Sequence, residues 1–226
     1  MSESFKQYPL TLGIIGVNLI AYLFSALLSG MMIDIDLKVL VDMGALYGPL
    51  VVLKGEWWRL LSAMFLHGGM THLLMNMVSL YIVGRGVESY FSKSAYVALY
   101  LFSGLVGGLA SLTVHPQSVG IGASGAIFGL FGALAGFFLA HRKQIAAYSR
   151  EFMKDFAAII GLNLLLGLSI PSIDMSAHIG GLVAGFVGGY LLAVRPRYLV
   201  GYAVLMSIVV IFGISYLPGY YAQFYR

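Results

Sequence analysis

Seven apolar stretches, at about 8–30, 62–83, 95–114, 122–140, 156–172, 177–194 and 199–217, leave this chain few ways to fold. At about 1.5 Å of rise per residue, helices of such length cross most or all of the roughly 30 Å hydrocarbon core of a bilayer. Lipid offers no partner to a backbone N–H or C=O, so the stretches must close their own hydrogen bonds as helices. Composition agrees, with 60% hydrophobic and 10% charged residues, against about 25% charged in an ordinary soluble domain. The expected fold is all-α, a polytopic membrane bundle. The first stretch is taken as a helix and not a cleaved leader: its basic region is Lys6 alone, its apolar run is long, and no small-residue cleavage site follows.

Charge is confined to the boundaries of these stretches. With a cytoplasmic N-terminus, Lys6, Arg85, Lys93, Arg142, Lys143, Arg150, Lys154, Arg195 and Arg197 fall inside, and Lys38, Lys54, Arg59 and Arg226 fall outside. The positive-inside bias therefore places the N-terminus in the cytoplasm, and a bacterial cell membrane is the expected location. The net charge of +4 comes from these clusters, so the bilayer, and not nucleic acid, is the expected partner. The segment 31–61 mixes Asp34, Asp36, Lys38, Asp42, Lys54, Glu56 and Arg59 with apolar residues and Trp57-Trp58. It is expected to be a folded loop in the interface, with the tryptophans at headgroup depth. The absence of cysteine excludes disulfides and thiolate metal sites, and no metal or cofactor is expected.

Polar groups inside the spans are few and concentrated. Span two holds His67, Thr71, His72 and Asn76, span four opens at Ser124, and span six opens at His178. Such residues are costly in lipid unless they face a protein interior or a wet cavity, which makes them site candidates. From Ser124 to the His141-Arg142-Lys143 cluster, and from His178 to Arg195, is about 17 residues, so both lie about 25 Å from the basic face and at one depth. A serine and a histidine at one level can act as nucleophile and base. His72 and Asn76, four apart, share a helix face, whereas a helix continued back to His67 puts that residue about 140° away. Singly each has a plainer role, since a serine beside glycine commonly packs and bonds its own backbone. Gly125, Gly129, Gly132 and Gly136 in span four, and Gly181, Gly185 and Gly189 in span six, allow close helix approach on the face that carries His178.

The ordered set of Trp58-Arg59, His67-Gly68-Gly69-Met70-Thr71-His72-Leu73-Leu74-Met75-Asn76, Gly122-Ala123-Ser124-Gly125 and Ala177-His178-Ile179-Gly180-Gly181 resembles the rhomboid intramembrane serine proteases. The resemblance covers a six-helix core at about 8–194. It implies Ser124 as nucleophile, His178 as general base and then acid, and His72, Asn76 and the Ser124 N–H as oxyanion donors. Gly122 would let the chain turn tightly beside the substrate. The Gly-x-Ser-x-Gly elbow of soluble hydrolases does not fit, because residue 126 is alanine.

No acid completes a triad, since Asp174 precedes His178 by four residues in an outer loop, and a Ser-His dyad is inferred. Family members often place tyrosine where Phe128 stands, against the histidine ring; stacking survives and the hydroxyl is lost. Ser92 stands where glycine is expected after the Glu88 turn. The loop 115–121 is expected to dip inward and leave an aqueous cavity above Ser124, and span five with the loop 168–176 would be the movable gate. The implied substrates are single-span membrane proteins, cut where a helix unwinds near the outer face after a small residue.

Metalloprotease and aspartyl protease chemistries fit poorly, because neither His-Glu-x-x-His nor paired intramembrane aspartates occur. A transporter is expected to show repeated broken helices, which are not seen. The alternative is a catalytically silent relative that binds membrane helices, although such relatives usually lose the serine or histidine. The expected organisation is a catalytic core at 1–194 and an extra C-terminal helix and tail at 195–226, with Tyr216, Tyr220, Tyr221 and Tyr225 as an interfacial belt.

Overall fold

The computed structural model describes residues 7–144, 161 and 174–223. Span five, apart from Gly161, most of the loop expected to act as a gate, Tyr225, and the basic residues Lys6, Arg150, Lys154 and Arg226 lie outside the described residues. The remaining apolar stretches are helical. Helix α1 is Pro9–Ser29, α2 Leu37–Asp42, α3 Arg59–Ser62, α4 Met70–Tyr90, α5 Lys93–Val114, α6 Ser124–Ala140, α7 Met175–Val194 and α8 Leu199–Tyr221. Among the described residues α1, α5, α7 and α8 are long and apolar enough to cross a membrane, and α6 is apolar over 17 residues. Helix α4 has the length, at 21 residues, but carries His72, Asn76, Arg85 and Glu88. The chain is an integral, multi-pass membrane protein.

Helix ends within or near lipid need partners for their orphan N–H groups. For α1 that partner is Glu88, near the far end of α4, whose carboxylate accepts from the N–H groups of Leu10 and Thr11 at 2.8 and 2.9 Å and from the Thr11 hydroxyl at 2.7 Å. Four residues on, Ser92 accepts from the Ala95 N–H at 3.3 Å and caps α5. The departure from glycine at that position thus supplies a cap.

Span two begins later than its hydropathy implies. The expected start near 62 is corrected to Met70, because Leu66 turns extended and the segment through Gly69 pairs with the first loop instead. The Ile35 N–H donates to the Gly68 carbonyl and the Met70 N–H to the Ile33 carbonyl, both at 2.9 Å. The loop 31–61 is folded, as its composition implies. Within it Arg59 is buried, its Nε bonded to Glu56 at 2.6 Å and its Nη1 to the carbonyls of Val41 and Ala45. Trp58, 53% exposed, lies against the same guanidinium at 4.8 Å. Strand β1 (Leu46–Tyr47) pairs antiparallel with β2 (Val119–Gly120), so the segment after α5 is tied to this loop.

Glycine sets the spacing at the centre of the bundle. Gly125, Gly129 and Ala133 of α6 lie against Gly181, Gly185 and Gly189 of α7 in one constant register, with no room for a Cβ at the α7 positions. The two helices therefore run parallel at small-residue distance. Gly107 of α5 faces the Ala177 carbonyl, which closes a three-helix core of α5, α6 and α7. Helix α8 packs on that core by buried Tyr202, Met206, Leu217 and Tyr221. Its opposite face, with Val200, Ile211 and Phe212, is left exposed.

Candidate active site

Ser124 is the first residue of α6, and His178 lies one turn inside α7. The parallel glycine register brings them level, and His178 Nε2 is 2.8 Å from Ser124 Oγ. An imidazole nitrogen at that distance from a hydroxyl is placed to accept its proton. Phe128, one turn beyond Ser124, stacks on the His178 ring with centroids 4.3 Å apart and planes 10° from parallel. Nδ1 of His178 has no hydrogen-bond partner among the described residues. Stacking and burial therefore orient this ring, with no carboxylate of the described residues engaged on its other nitrogen.

Asp174 is committed elsewhere. It caps α7, accepting from the N–H groups of Ser176 and Ala177 at 3.0 and 3.2 Å, and it lies 3.8 Å from His115 Nε2. Burial alone would push its carboxyl up. Hydrogen bonds from Ser111, Ser176 and Ala177, with His115 nearby, outweigh that effect and hold it below the ordinary carboxylate range.

Gly122 has φ +118°, a left-handed conformation that L side chains rarely adopt. A Cβ there would stand 2.9 Å from Nε2 of His72 and 3.8 Å from Ser124 Oγ. Glycine thus keeps open a space that the His72 ring and the serine hydroxyl both border. Its N–H donates to the Ala63 carbonyl at 2.9 Å, which secures the turn into α6. Asn76, one turn after His72, is buried and donates one amide hydrogen to the His72 carbonyl at 2.9 Å. The amide group carries a second hydrogen for another acceptor.

Ser124, His178, His72, Asn76, Gly122 and Phe128 all line one cavity of about 890 Å³. Part of its wall is the segment Ser118–Gly122, so a cavity does adjoin the loop after α5; that loop is strand-paired to the first loop. His67 is the residue the sequence reading misplaced. It precedes α4, so the helical angle of 140° does not apply, and its fully buried ring lies 5.0 Å from that of His72 in an edge-on arrangement. Gly68-Gly69 was the available signal, because a helix is not expected to run through that pair.

A multi-helix membrane bundle that gathers a serine, two histidines and an asparagine around one cavity defines a class of intramembrane protein, and sequence comparison says which. The family model described as Rhomboid domain matches residues 54–195. RHOMBOID-like protein 5 of Arabidopsis thaliana is 40% identical over 177 residues, covering 77% of this chain and 56% of that protein. RHOMBOID-like protein 2 of the same plant is 41% identical over 161 residues, covering 71% and 50%. Rhomboid protease GluP of Bacillus subtilis is 37% identical over 174 residues, covering 77% and 33%. The chain belongs to the rhomboid family. It spans about half the length, or less, of these relatives.

Proposed function

We propose that this chain is an intramembrane serine endopeptidase that cuts single-span membrane proteins with a Ser124-His178 dyad. The observation that carries the proposal is the 2.8 Å approach of His178 Nε2 to Ser124 Oγ across two helices. In the first step Ser124 Oγ bonds to the substrate carbonyl carbon while His178 Nε2 takes its proton. The carbonyl oxygen becomes an oxyanion in the space beside Gly122, where His72, the free amide hydrogen of Asn76 and the Ser124 N–H are its donors. Collapse of that intermediate breaks the C–N bond, and His178 returns the proton to the leaving amine. Water, deprotonated by the same imidazole, then attacks the acyl carbon; the C–Oγ bond breaks, the acid leaves, and His178 returns the proton to Ser124 Oγ.

The substrate must present an unwound segment, because a helical carbonyl is committed to its own helix. A small residue before the cut suits the confined space between His72 and Ser124. The basic bias of the boundaries supports a cytoplasmic N-terminus and a site toward the outer face. We place the catalytic core at 1–194 and treat 195–226 as an added helix and tail.

The test is cleavage of a model single-span substrate by purified protein in liposomes, with fluorophosphonate labelling in parallel. Wild type should cleave and label, and Ser124→Ala should do neither while keeping its thermal unfolding. Cleavage by a clean Ser124→Ala preparation would remove the nucleophile assignment. Binding without cleavage or labelling by wild type would favour a silent helix-binding relative.

A further inference from the structure

Helix α8 lies outside the three-helix centre that carries Ser124 and His178, yet its last turn reaches the chain that leads into Ser124. The carbonyls at the end of α5 have no helical partners of their own, an expensive condition near lipid. The Ser111 carbonyl takes the His115 N–H at 2.7 Å. The next two are served from α8: the Tyr221 hydroxyl donates to the Leu112 carbonyl at 2.8 Å, and the Tyr220 hydroxyl to the Thr113 carbonyl at 3.2 Å.

Tyr221 does more than cap α5. It is fully buried in a small apolar cluster with Leu46, Val51, Leu60, Leu112 and Leu217, which joins the first loop, α5 and α8. Its hydroxyl also lies 3.4 Å from the Pro116 carbonyl, and a Cβ on Gly48 would stand 2.8 Å from its ring. Gly48 directly follows β1, and Pro116 stands shortly before β2. One side chain therefore packs at the Tyr47–Val119 end of the two-stranded ladder, and the chain leaves the other end, at Gly120, toward Gly122 and Ser124. Ser111, on the same last turn of α5, lines the active-site cavity together with Asp174, the cap of the helix bearing His178.

Resting on the protease reading above, we propose that Tyr221 is a positioning residue: its hydroxyl ties the 116–122 segment to the end of α5 and holds Gly122 and the Ser124 N–H in register. The added helix is then a working support of the active site and not a lipid anchor alone. Its effect is local, because the hydroxyl binds a helix end and a loop while the ring supplies the packing.

The experiment uses the full chain in liposomes and compares wild type with Tyr221→Phe, Tyr220→Phe/Tyr221→Phe and Tyr216→Phe. Tyr221→Phe keeps the ring and removes the hydroxyl; Tyr216 is exposed on the same helix and serves as the control. Hydrogen exchange of the 117–122 amides should speed up about fivefold or more in Tyr221→Phe, since a local tie is lost. Fluorophosphonate labelling of Ser124 should slow about fivefold to tenfold, with substrate KM nearly unchanged. The double variant should exceed both effects, and Tyr216→Phe should show neither.

Wild-type exchange at 117–122 in both Tyr221 variants overturns the proposal whatever the activity. Faster exchange with unaltered labelling overturns the positioning role. If wild type itself does not label while the exchange difference persists, the protease reading fails, and the catalytic consequence fails with it, leaving only the loop tie.

Discussion

Replacing Gly181 with alanine puts one methyl group between the two helices that carry Ser124 and His178. A Cβ at 181 would overlap the Gly125 carbonyl oxygen and stand 2.8 Å from its carbon, whereas attractive carbon contacts begin near about 3.5 Å. Both surfaces are helix backbone, so no side chain can rotate away and the helices must part by about 1 Å. Gly125 adjoins Ser124, and Gly181 lies one turn beyond His178, so the parting falls on the 2.8 Å contact. Stretched to about 3.8 Å, that contact is no longer a hydrogen bond. A misplacement of about 1 Å can cost about 10²-fold in rate, equivalent to about 2.7 kcal/mol of transition-state stabilisation. Overpacking should also lower stability by about 1–3 kcal/mol. The assay is the initial rate of substrate cleavage in liposomes, with thermal unfolding measured on the same preparation. Gly201→Ala on α8, where a Cβ meets nothing within 4 Å, is the matched control and should behave as wild type. A Gly181→Ala protein within about threefold of wild type, with unchanged unfolding, would refute the argument that glycine spacing sets the serine–histidine distance.

Phe128→Tyr should keep the ring stack on His178 and leave kcat/KM within about tenfold of wild type, or about 1.4 kcal/mol. A larger loss would mean that a hydroxyl at this place disturbs the imidazole. Asp174 gives a pH-dependent prediction. Its folded carboxyl is held below the ordinary range, so the stability it supplies is complete above about pH 4 and is lost as pH falls through the folded value. Asp174→Ala should therefore cost about 1 kcal/mol near neutrality as a lost helix cap, and the gap should close on acidification. Unfolding curves of both proteins across that range provide the check, and a gap independent of pH would contradict the assignment.

Much of the bundle was legible along the chain because lipid forces the backbone into helices wherever a run of apolar residues is long enough. The exposed faces of α1 and α8 obey that rule without help from neighbours. Span two did not, because the backbone leaves the helical path at Leu66, and Gly68 and Met70 pair with Ile35 and Ile33 in the first loop. Window hydropathy registers how apolar a residue is and not which carbonyl its N–H will find. The same cause misplaced His67, whose relation to His72 depends on an extended bend before α4 and on no helical angle.

Within the site, the equal distance of Ser124 and His178 to basic anchors implied that they stand level, as their 2.8 Å approach has them, and the glycine spacing marked the faces that meet. Residue order and the rise of a helix suffice for such statements, since both are properties of a single span. The stack of Phe128 on His178 and the turn at Gly122 were expected from the resemblance, whereas the parallel register of α6 on α7 and the lack of a partner for His178 Nδ1 among the described residues depend on contacts between spans. So does Tyr221, which resembles any interfacial tyrosine in the sequence and proves to cap a helix more than 100 residues away. One-dimensional pattern encodes how far a residue sits from the membrane surface; which residue stands across from it is settled when backbones close to within a methyl group of one another.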